Sequence, residues 1–149
     1  MKKNKINEIK VILDSHSENE GLARYICAAF CAAFDPTVEQ IADIKCTVSE
    51  AVTNCVVHAY RGCTGKIYLT LRAYDNNSIS ITVRDRGCGI EDIEKARQPL
   101  FTTDAAGERS GMGFPIMENL SDKFSVSSKP GSGTVVTMNF NLSKERTNG

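Results

Sequence analysis

Hydrophobic and polar residues follow strand and helix periods in turn along the first sixty residues. Alternation over residues 9–14 predicts a strand. Apolar residues then recur every three or four positions, which predicts a first helix over residues 17–33 and a second over residues 37–60. Ser17 and Thr37 each precede Glu or Gln by three positions, so we expect a capping box at the start of both helices.

The second half of the chain predicts two hairpins separated by a helix. Four segments alternate apolar and polar residues, and the turn residues Asp75–Asn77 join the first two. A helix is predicted over residues 114–120, after a long irregular stretch from about residue 98 to residue 111. The four predicted strands cover residues 67–71, 79–83, 124–128 and 134–142.

These elements predict the fold class. Strands and helices do not alternate as repeated βαβ units, so we expect an α+β fold. The expected architecture is a two-layer α/β sandwich, with helices on one face of a mixed, mostly antiparallel sheet. The 149 residues are the size of one domain, which we place over residues 1–149.

Charge and composition exclude several functions. Lys plus Arg is 18, Asp plus Glu is 18, and the net charge is +0, which argues against direct binding of nucleic acid through a basic surface. No segment approaches the roughly 20 apolar residues that span a membrane, and the basic start leads into no apolar signal-peptide core. We therefore expect a cytoplasmic protein without a membrane partner.

The six cysteines contain no C-x-x-C pair, and only two His accompany them. We expect reduced thiols rather than a metal site. Four of them fall within the predicted helices, where a free thiol packs as a small hydrophobic group. These four are Cys27, Cys31, Cys46 and Cys55.

Polar side chains on the second helix are the first candidates for chemistry. Glu50, Asn54 and His58 are four residues apart, so a regular α-helix places them in one row beside the apolar stripe. Alone, such a row is also typical of a solvated helix surface. We expect His58 to pack or to form hydrogen bonds rather than to accept a phosphoryl group.

Glycines follow at two places where backbone could approach a ligand. Asp85 ends a predicted strand and precedes Gly87 and Gly89, so a carboxylate and bare backbone could meet a flat ring. Gly111 and Gly113 precede the predicted helix at residue 114, where free N–H groups favour phosphate. Each segment alone could equally be a turn or a shaped loop.

The order of these segments resembles the four boxes of the GHKL (Bergerat-fold) ATP-binding superfamily, and the resemblance covers nearly the whole chain. Within that superfamily, Gln98-Pro-Leu-Phe-Thr-Thr103 and Glu108-Arg-Ser-Gly-Met-Gly-Phe114 are similar to the anti-sigma factor serine kinases. The four boxes are Glu50-Ala-Val-Thr-Asn54, Asp85-x-Gly87-x-Gly89, Gly111-Met-Gly113-Phe114 and Gly133-Thr134.

The resemblance implies ATP and Mg²⁺ as cofactors and assigns a role to each matching residue. It implies that Glu50 is the general base for the incoming hydroxyl and that Asn54 is the Mg²⁺ ligand. Asp85 would accept a hydrogen bond from the adenine amino group, with Thr134 as a second adenine contact. Gly87 and Gly89 would let the base lie close. The lid around the phosphates would comprise Thr103, Arg109, Ser110, Gly111 and Gly113, with Phe114 completing the motif.

The resemblance also implies partners and an activity. It implies a homodimer, formed through the first strand and helix, that holds a sporulation sigma factor inactive, with Arg24 in the partner contact. As a protein kinase of the serine/threonine class it would phosphorylate an anti-anti-sigma factor. The alternatives are an ATP-gated anti-sigma module without kinase chemistry, the stress-response branch of the same family, and a bare ATPase domain of the gyrase or MutL kind.

Overall fold

The computed structural model describes residues 3–98 and 113–143. The predicted irregular stretch over residues 98–111 lies almost wholly outside these ranges, so its conformation stays a prediction. Four residues of the expected phosphate lid also lie outside the described residues. They are Thr103, Arg109, Ser110 and Gly111.

Five strands form one sheet in the order β1-β2-β3-β5-β4, and each of the four pairings between neighbours is antiparallel. The expected mixed sheet is therefore antiparallel throughout its described strands. The connection from β3 leads to the edge strand β4, and the final hairpin then places β5 beside β3. The strands are β1 (Lys5–Asp14), β2 (Lys66–Tyr74), β3 (Ser78–Asp85), β4 (Lys123–Lys129) and β5 (Gly133–Asn141).

The helices pack against one face of this sheet, which confirms the predicted α+β class. Alternate residues of β2, from Ile67 to Ala73, are fully buried, and they share one core with Ile44, Val48 and Met117 from the helices. None of the described helices is long and apolar enough to cross a membrane. The helices are α1 (Glu18–Ala32), α2 (Val38–Asn54), α3 (Ile93–Ala96) and α4 (Gly113–Leu120).

One of the two predicted capping boxes is confirmed and the other is wrong. The Thr37 hydroxyl accepts from Gln40 N–H at 3.0 Å, and the Gln40 side chain accepts from Thr37 N–H at 2.8 Å. Ser17 instead has helical dihedral angles and makes no cap hydrogen bond through its side chain. Glu20, its expected partner, accepts a hydrogen bond from the Ser49 hydroxyl on α2, so tertiary contact has displaced the local motif.

The second helix ends in a π-helical turn, Cys55–Ala59, where the sequence predicts continuous α-helix. Tyr60 N–H donates to Cys55 O at 3.3 Å, a bond that spans five residues. The wider turn changes the angle between successive side chains, so the regular row of Glu50, Asn54 and His58 does not continue past Asn54. Such turns are frequent at functional sites.

All six cysteines are free thiols, of which three are buried and three are exposed. Cys27, Cys31 and Cys55 are buried, as expected for packing residues. Cys46 is exposed, so the prediction that it packs in the core is wrong. It lies between Ile44 and Val48 in sequence, on a different side of the helix from those two core residues.

Candidate functional site

Glu50 and Asn54 meet at the first residue of α4. A Cβ atom placed on Gly113 would lie 3.3 Å from both Asn54 Nδ2 and Glu50 Oε2, and 3.4 Å from Asn54 Oδ1. The two side chains therefore face the helix start closely enough that glycine is the residue that fits without displacing them. Free N–H groups at a helix start favour an anion. The structure thus brings together three of the predicted site residues from segments about sixty residues apart.

The Asp85 carboxylate accepts hydrogen bonds from three donors at the end of β3. Its Oδ1 accepts from Gly87 N–H at 2.9 Å and from Thr134 N–H at 3.2 Å. Its Oδ2 accepts from the Cys55 thiol, with 3.6 Å between sulfur and oxygen. Asp85 as a residue is 6 % exposed, so these protein contacts set the orientation of its carboxylate.

Burial shifts the protonation of this group. Desolvation raises the pKa of Asp85 above its ordinary value, and the hydrogen bonds from Gly87, Cys55 and Thr134 oppose that shift. Burial also raises the pKa of the Cys55 thiol well above its usual range, helped by the neighbouring Asp85 charge. The thiol therefore stays protonated and remains a hydrogen-bond donor.

Gly87 and Gly89 are required by contacts within the protein itself. A Cβ on Gly87 would lie 2.3 Å from Ala59 O, and one on Gly89 would lie 2.2 Å from Lys129 O. Gly89 also has φ +77°, which disfavours any side chain. The segment is thus clamped between the π-helical turn and the last hairpin. A nucleotide base lying against these glycines stays a prediction.

Thr134 reaches Asp85 through its backbone and Ser128 through its side chain. Its Oγ1 lies 2.8 Å from Ser128 Oγ, and that hydroxyl also accepts from Ile90 N–H at 2.8 Å. Ser128, which the sequence did not single out, therefore ties the Gly89 segment to the last hairpin. Nothing in the local sequence distinguishes it from the neighbouring serines.

Tyr60 is a second residue that the sequence did not single out. Its hydroxyl donates to Lys66 O and lies 2.6 Å from Arg86 N–H, from which it accepts. It therefore joins the end of the π-helical turn to the start of β2 and to the residue after Asp85. A Cβ on Gly65 would lie 2.2 Å from its ring, so a glycine five residues away is the one available signal.

Phe114 is buried, and its ring centroid lies 6.0 Å from that of Phe124. Its side chain thus belongs to the core, and contact between this residue and a nucleotide stays a prediction. His58 is partly buried, and its carbonyl accepts from the Cys88 thiol at 3.3 Å. His58 is not among the residues of the three heavy atoms nearest to a Cβ on Gly113, which belong to Asn54 and Glu50.

Arg24 lies on α1, apart from these clusters. Its Nε is 3.8 Å from Glu20 Oε1, and its guanidinium lies 5.7 Å from the Tyr25 ring centroid. Tyr25 is 64 % exposed, and Lys45 lies on the same ring at 5.4 Å. The surface here is therefore cationic and aromatic, a composition common at the centres of protein interfaces.

The donor set near Gly113 fits Mg²⁺ bound together with a phosphate group. The Asn54 side chain offers an amide oxygen, and oxygen is the ligand type that Mg²⁺ prefers. Over residues 3–98 and 113–143 no three His, Cys, Asp or Glu side chains are grouped to hold a metal ion by themselves. A Mg²⁺ ion bound together with phosphate groups needs only one or two protein side chains.

Comparison with known proteins agrees with this fold. Residues 13–140 match the family model of the histidine kinase-like ATPase domain. The anti-sigma F factor of Caldanaerobacter subterraneus subsp. tengcongensis is 51 % identical over 98 % of this chain and 100 % of its own. The anti-sigma F factor of Bacillus subtilis is 46 % identical over 94 % and 96 % of the two chains.

A solved structure shares the fold at lower identity. The RsbU and RsbW domains of Rv1364c from Mycobacterium tuberculosis superpose with a TM-score of 0.67 and 21 % identity, covering 92 % of this chain and 33 % of that one. The sheet, the helices and the family match define a GHKL-type ATPase domain. The chain belongs to the histidine kinase-like ATPase family and, within it, to the anti-sigma F factors.

Proposed function

We propose that this protein is an ATP-dependent anti-sigma factor with serine kinase activity. It holds a sporulation sigma factor inactive in the cytoplasm and uses Mg²⁺-ATP to phosphorylate, and so inactivate, an anti-anti-sigma factor. Relatives named anti-sigma F factor, 51 % and 46 % identical, support the sigma-factor partner. The ATPase family to which the chain belongs supports the nucleotide.

The meeting of Glu50 and Asn54 at Gly113 is the observation that carries the kinase activity. Bound ATP supplies the phosphoryl group that is transferred, and Mg²⁺ offsets its charge. Asn54 offers an amide oxygen to the metal, and Glu50 lies one helical turn away to orient and accept the proton of a serine hydroxyl. The start of α4 at Gly113 lies beside both side chains, and its free backbone N–H groups would stabilise negative charge there.

Asp85 supplies the other end of the proposed site. Its Oδ1 is engaged by Gly87 and Thr134 N–H, while its Oδ2 is available to an amino group in addition to the Cys55 thiol. An ionised carboxylate only accepts hydrogen bonds, so it favours a base that presents an amino group. Adenine does so through its exocyclic nitrogen.

The surface around Arg24 supports binding of a protein partner. The exposed ring of Tyr25 contacts two cations, which belong to Arg24 and Lys45. Leu22, on the same helix, is 49 % exposed. Arg and Tyr residues often carry much of the affinity in protein interfaces. We assign the sigma factor and the antagonist to this surface.

The proposed homodimer uses β1 and α1. β1 is an edge strand, and its outward residues Ile6 and Ile12 are 58 % and 63 % exposed. Exposed apolar residues on an unpaired edge favour association with another chain.

An ATP-gated binding protein without kinase chemistry is the competing function, and the stress-response branch is the competing assignment of partners. The position of Glu50 beside Asn54 favours the kinase, since a binding module alone needs no base at this place. The test mixes purified protein, Mg²⁺ and γ-labelled ATP with a candidate anti-anti-sigma protein. Label on a serine of that protein supports the kinase, while label found only in ATP or free phosphate contradicts it.

A further inference from the structure

We propose that Cys55 is a positioning residue for base recognition, whose thiol fixes Asp85 so that Oδ2 receives the amino group of an adenine base. This inference rests on the proposed nucleotide site and goes beyond it, because it assigns a specificity role to a buried thiol. Cys55 Sγ is 3.6 Å from Asp85 Oδ2, and the residue is 3 % exposed.

The hydrogen bonds that Asp85 already accepts limit where a ligand can donate to its carboxylate. Each carboxylate oxygen accepts about two strong hydrogen bonds. Oδ1 already accepts from Gly87 and Thr134 N–H, whereas Oδ2 accepts only from the Cys55 thiol among the described residues. One acceptor position on Oδ2 therefore remains, and its direction is set by where Cys55 holds that oxygen.

Cys55 suits this role because of its place in the chain. It is the first residue of the π-helical turn and follows Asn54 directly. The thiol therefore connects the proposed base-binding carboxylate to the helix end that carries Asn54. The thiol acts as a donor, because its sulfur lies 3.6 Å from Asp85 Oδ2.

A packing-only role for Cys55 makes different predictions. A small hydrophobic filler is replaceable by a residue of similar volume, with consequences for stability alone. A donor to Asp85 also favours the ionised carboxylate, so its loss raises the pKa of Asp85 further. The other groups near this carboxylate are the Gly87 and Thr134 N–H groups and Tyr60, whose hydroxyl is engaged by Lys66 and Arg86.

The experiment compares Cys55→Ala, Cys55→Val and Cys55→Ser in the full chain. Calorimetry measures the affinity for ATP and for inosine triphosphate, which carries a carbonyl in place of the amino group, between about pH 5 and 8. Thermal unfolding verifies that each variant is folded, and Val keeps the core filled if Ala destabilises the protein.

We expect Cys55→Ala and Cys55→Val to bind ATP about 3- to 10-fold more weakly, as for loss of one hydrogen bond. The ratio of their affinities for ATP and inosine triphosphate falls by the same factor. The pH below which ATP affinity is lost also becomes higher, because the pKa of Asp85 is raised. Cys55→Ser keeps a donor and restores both properties.

Wild-type ATP affinity and an unchanged pH profile in both the Ala and Val variants would show that Cys55 only fills space, and would overturn the inference. Asp85→Asn serves as the reference. If wild-type protein binds no ATP, or if Asp85→Asn binds it as tightly as wild type, the proposed nucleotide site is wrong, and the role of Cys55 is wrong with it.

Discussion

Asn54 and Cys55 are neighbours in the chain, but their side chains contact different ends of the candidate site. Asn54 Nδ2 lies 3.3 Å from the position of a Cβ on Gly113, while Cys55 Sγ lies 3.6 Å from Asp85 Oδ2. The junction between α2 and the π-helical turn therefore touches both the proposed phosphate end and the proposed base end. Sites on such rigid elements hold their geometry better than sites on loops.

Replacing Asp85 tests the base end. Asp85→Asn should weaken binding of both ATP and ADP by about 1.5–3 kcal/mol, since a charge-assisted acceptor is lost and an amide N–H₂ then opposes the adenine amino group. Calorimetry measures the change. Asp75→Asn, in the turn where Asp75 accepts from Asn4 N–H, is the matched control and should leave nucleotide affinity unchanged. Equal affinities in the two variants would contradict the assignment.

Replacing Glu50 separates chemistry from binding. Glu50→Gln keeps the shape of the side chain but removes the base, so phosphorylation of the antagonist should slow by about 10²–10⁴-fold. We expect a decrease near the lower end of this range, because the serine hydroxyl is little deprotonated in a loose transition state. ATP affinity and sigma-factor binding should persist. Glu39→Gln, in the first turn of the same helix, is the control. Phosphorylation at the wild-type rate would exclude Glu50 as the base.

Replacing Asn54 acts through the metal. Asn54→Ala should weaken Mg²⁺-dependent nucleotide binding as well as the rate of phosphorylation, because it removes the amide oxygen proposed as the metal ligand. Titration with ATP at several Mg²⁺ concentrations measures this effect. A variant that responds to Mg²⁺ as wild type does would show that Asn54 is not the ligand.

A methyl group on Gly113 should disturb the site more than the fold. Gly113→Ala places its Cβ 3.3 Å from both Asn54 Nδ2 and Glu50 Oε2, so these side chains must move by a few tenths of an ångström. We expect phosphorylation to slow by at least about tenfold, since small misplacements of catalytic groups are costly. Steady-state assays and thermal unfolding measure the rate and the stability.

Gly21→Ala is the matched control for this variant. A Cβ on Gly21 meets only Arg24 Nη2, at 3.8 Å, in the interior of α1. Alanine at an interior helix position should raise the free energy of unfolding by about 0.5–1 kcal/mol and leave nucleotide binding intact. A Gly113→Ala variant as active as Gly21→Ala would contradict the proposed closeness of the site.

Ionisation of Asp85 should reduce the stability of the nucleotide-free protein. Because the folded-state pKa lies above the ordinary value of 3.8, the contribution of Asp85 to stability is fully present below that pH and is lost as the pH rises through the raised pKa. The free energy of unfolding of wild type minus that of Asp85→Asn should therefore fall with rising pH. Urea unfolding between about pH 3 and 7 measures it. If this difference in unfolding free energy rises with pH, the pKa of Asp85 is not raised in the folded protein, and the prediction is wrong.

Arg24 tests the partner surface. Arg24→Ala should weaken binding to both the sigma factor and the antagonist, because it removes a guanidinium held beside Glu20 and Tyr25. ATP affinity should be unchanged, since the ion-pair and ring contacts of Arg24 among the described residues are to Glu20 and Tyr25, which are not proposed nucleotide residues. Arg84→Ala, on the sheet face away from the helices, is the control. Pull-down with each partner at normal affinity would count against this surface.

The periodicity of apolar residues was enough to predict the elements and the fold class. The helices predicted over residues 17–33 and 114–120 are observed at Glu18–Ala32 and Gly113–Leu120, and the final strands agree within a residue or two. These elements are predictable because burial of one face repeats with the period of a helix or a strand. The order of the four boxes likewise depends on the linear sequence alone, and the family match confirms the recognition.

Contacts between distant segments were decided by the tertiary structure. Cys55 and Asp85 are thirty residues apart, and no local pattern shows that packing brings the thiol to the carboxylate. The contact of a ligand with Gly87 and Gly89 stays a prediction, and only the tertiary structure shows that a Cβ on these glycines would meet the backbone of Ala59 and Lys129. Ser17 does not form the expected capping box, because Glu20 instead accepts a hydrogen bond from the Ser49 hydroxyl on the next helix. Local sequence determines which backbone conformations have low free energy. Competition among contacts between distant segments then determines which polar groups form hydrogen bonds with one another.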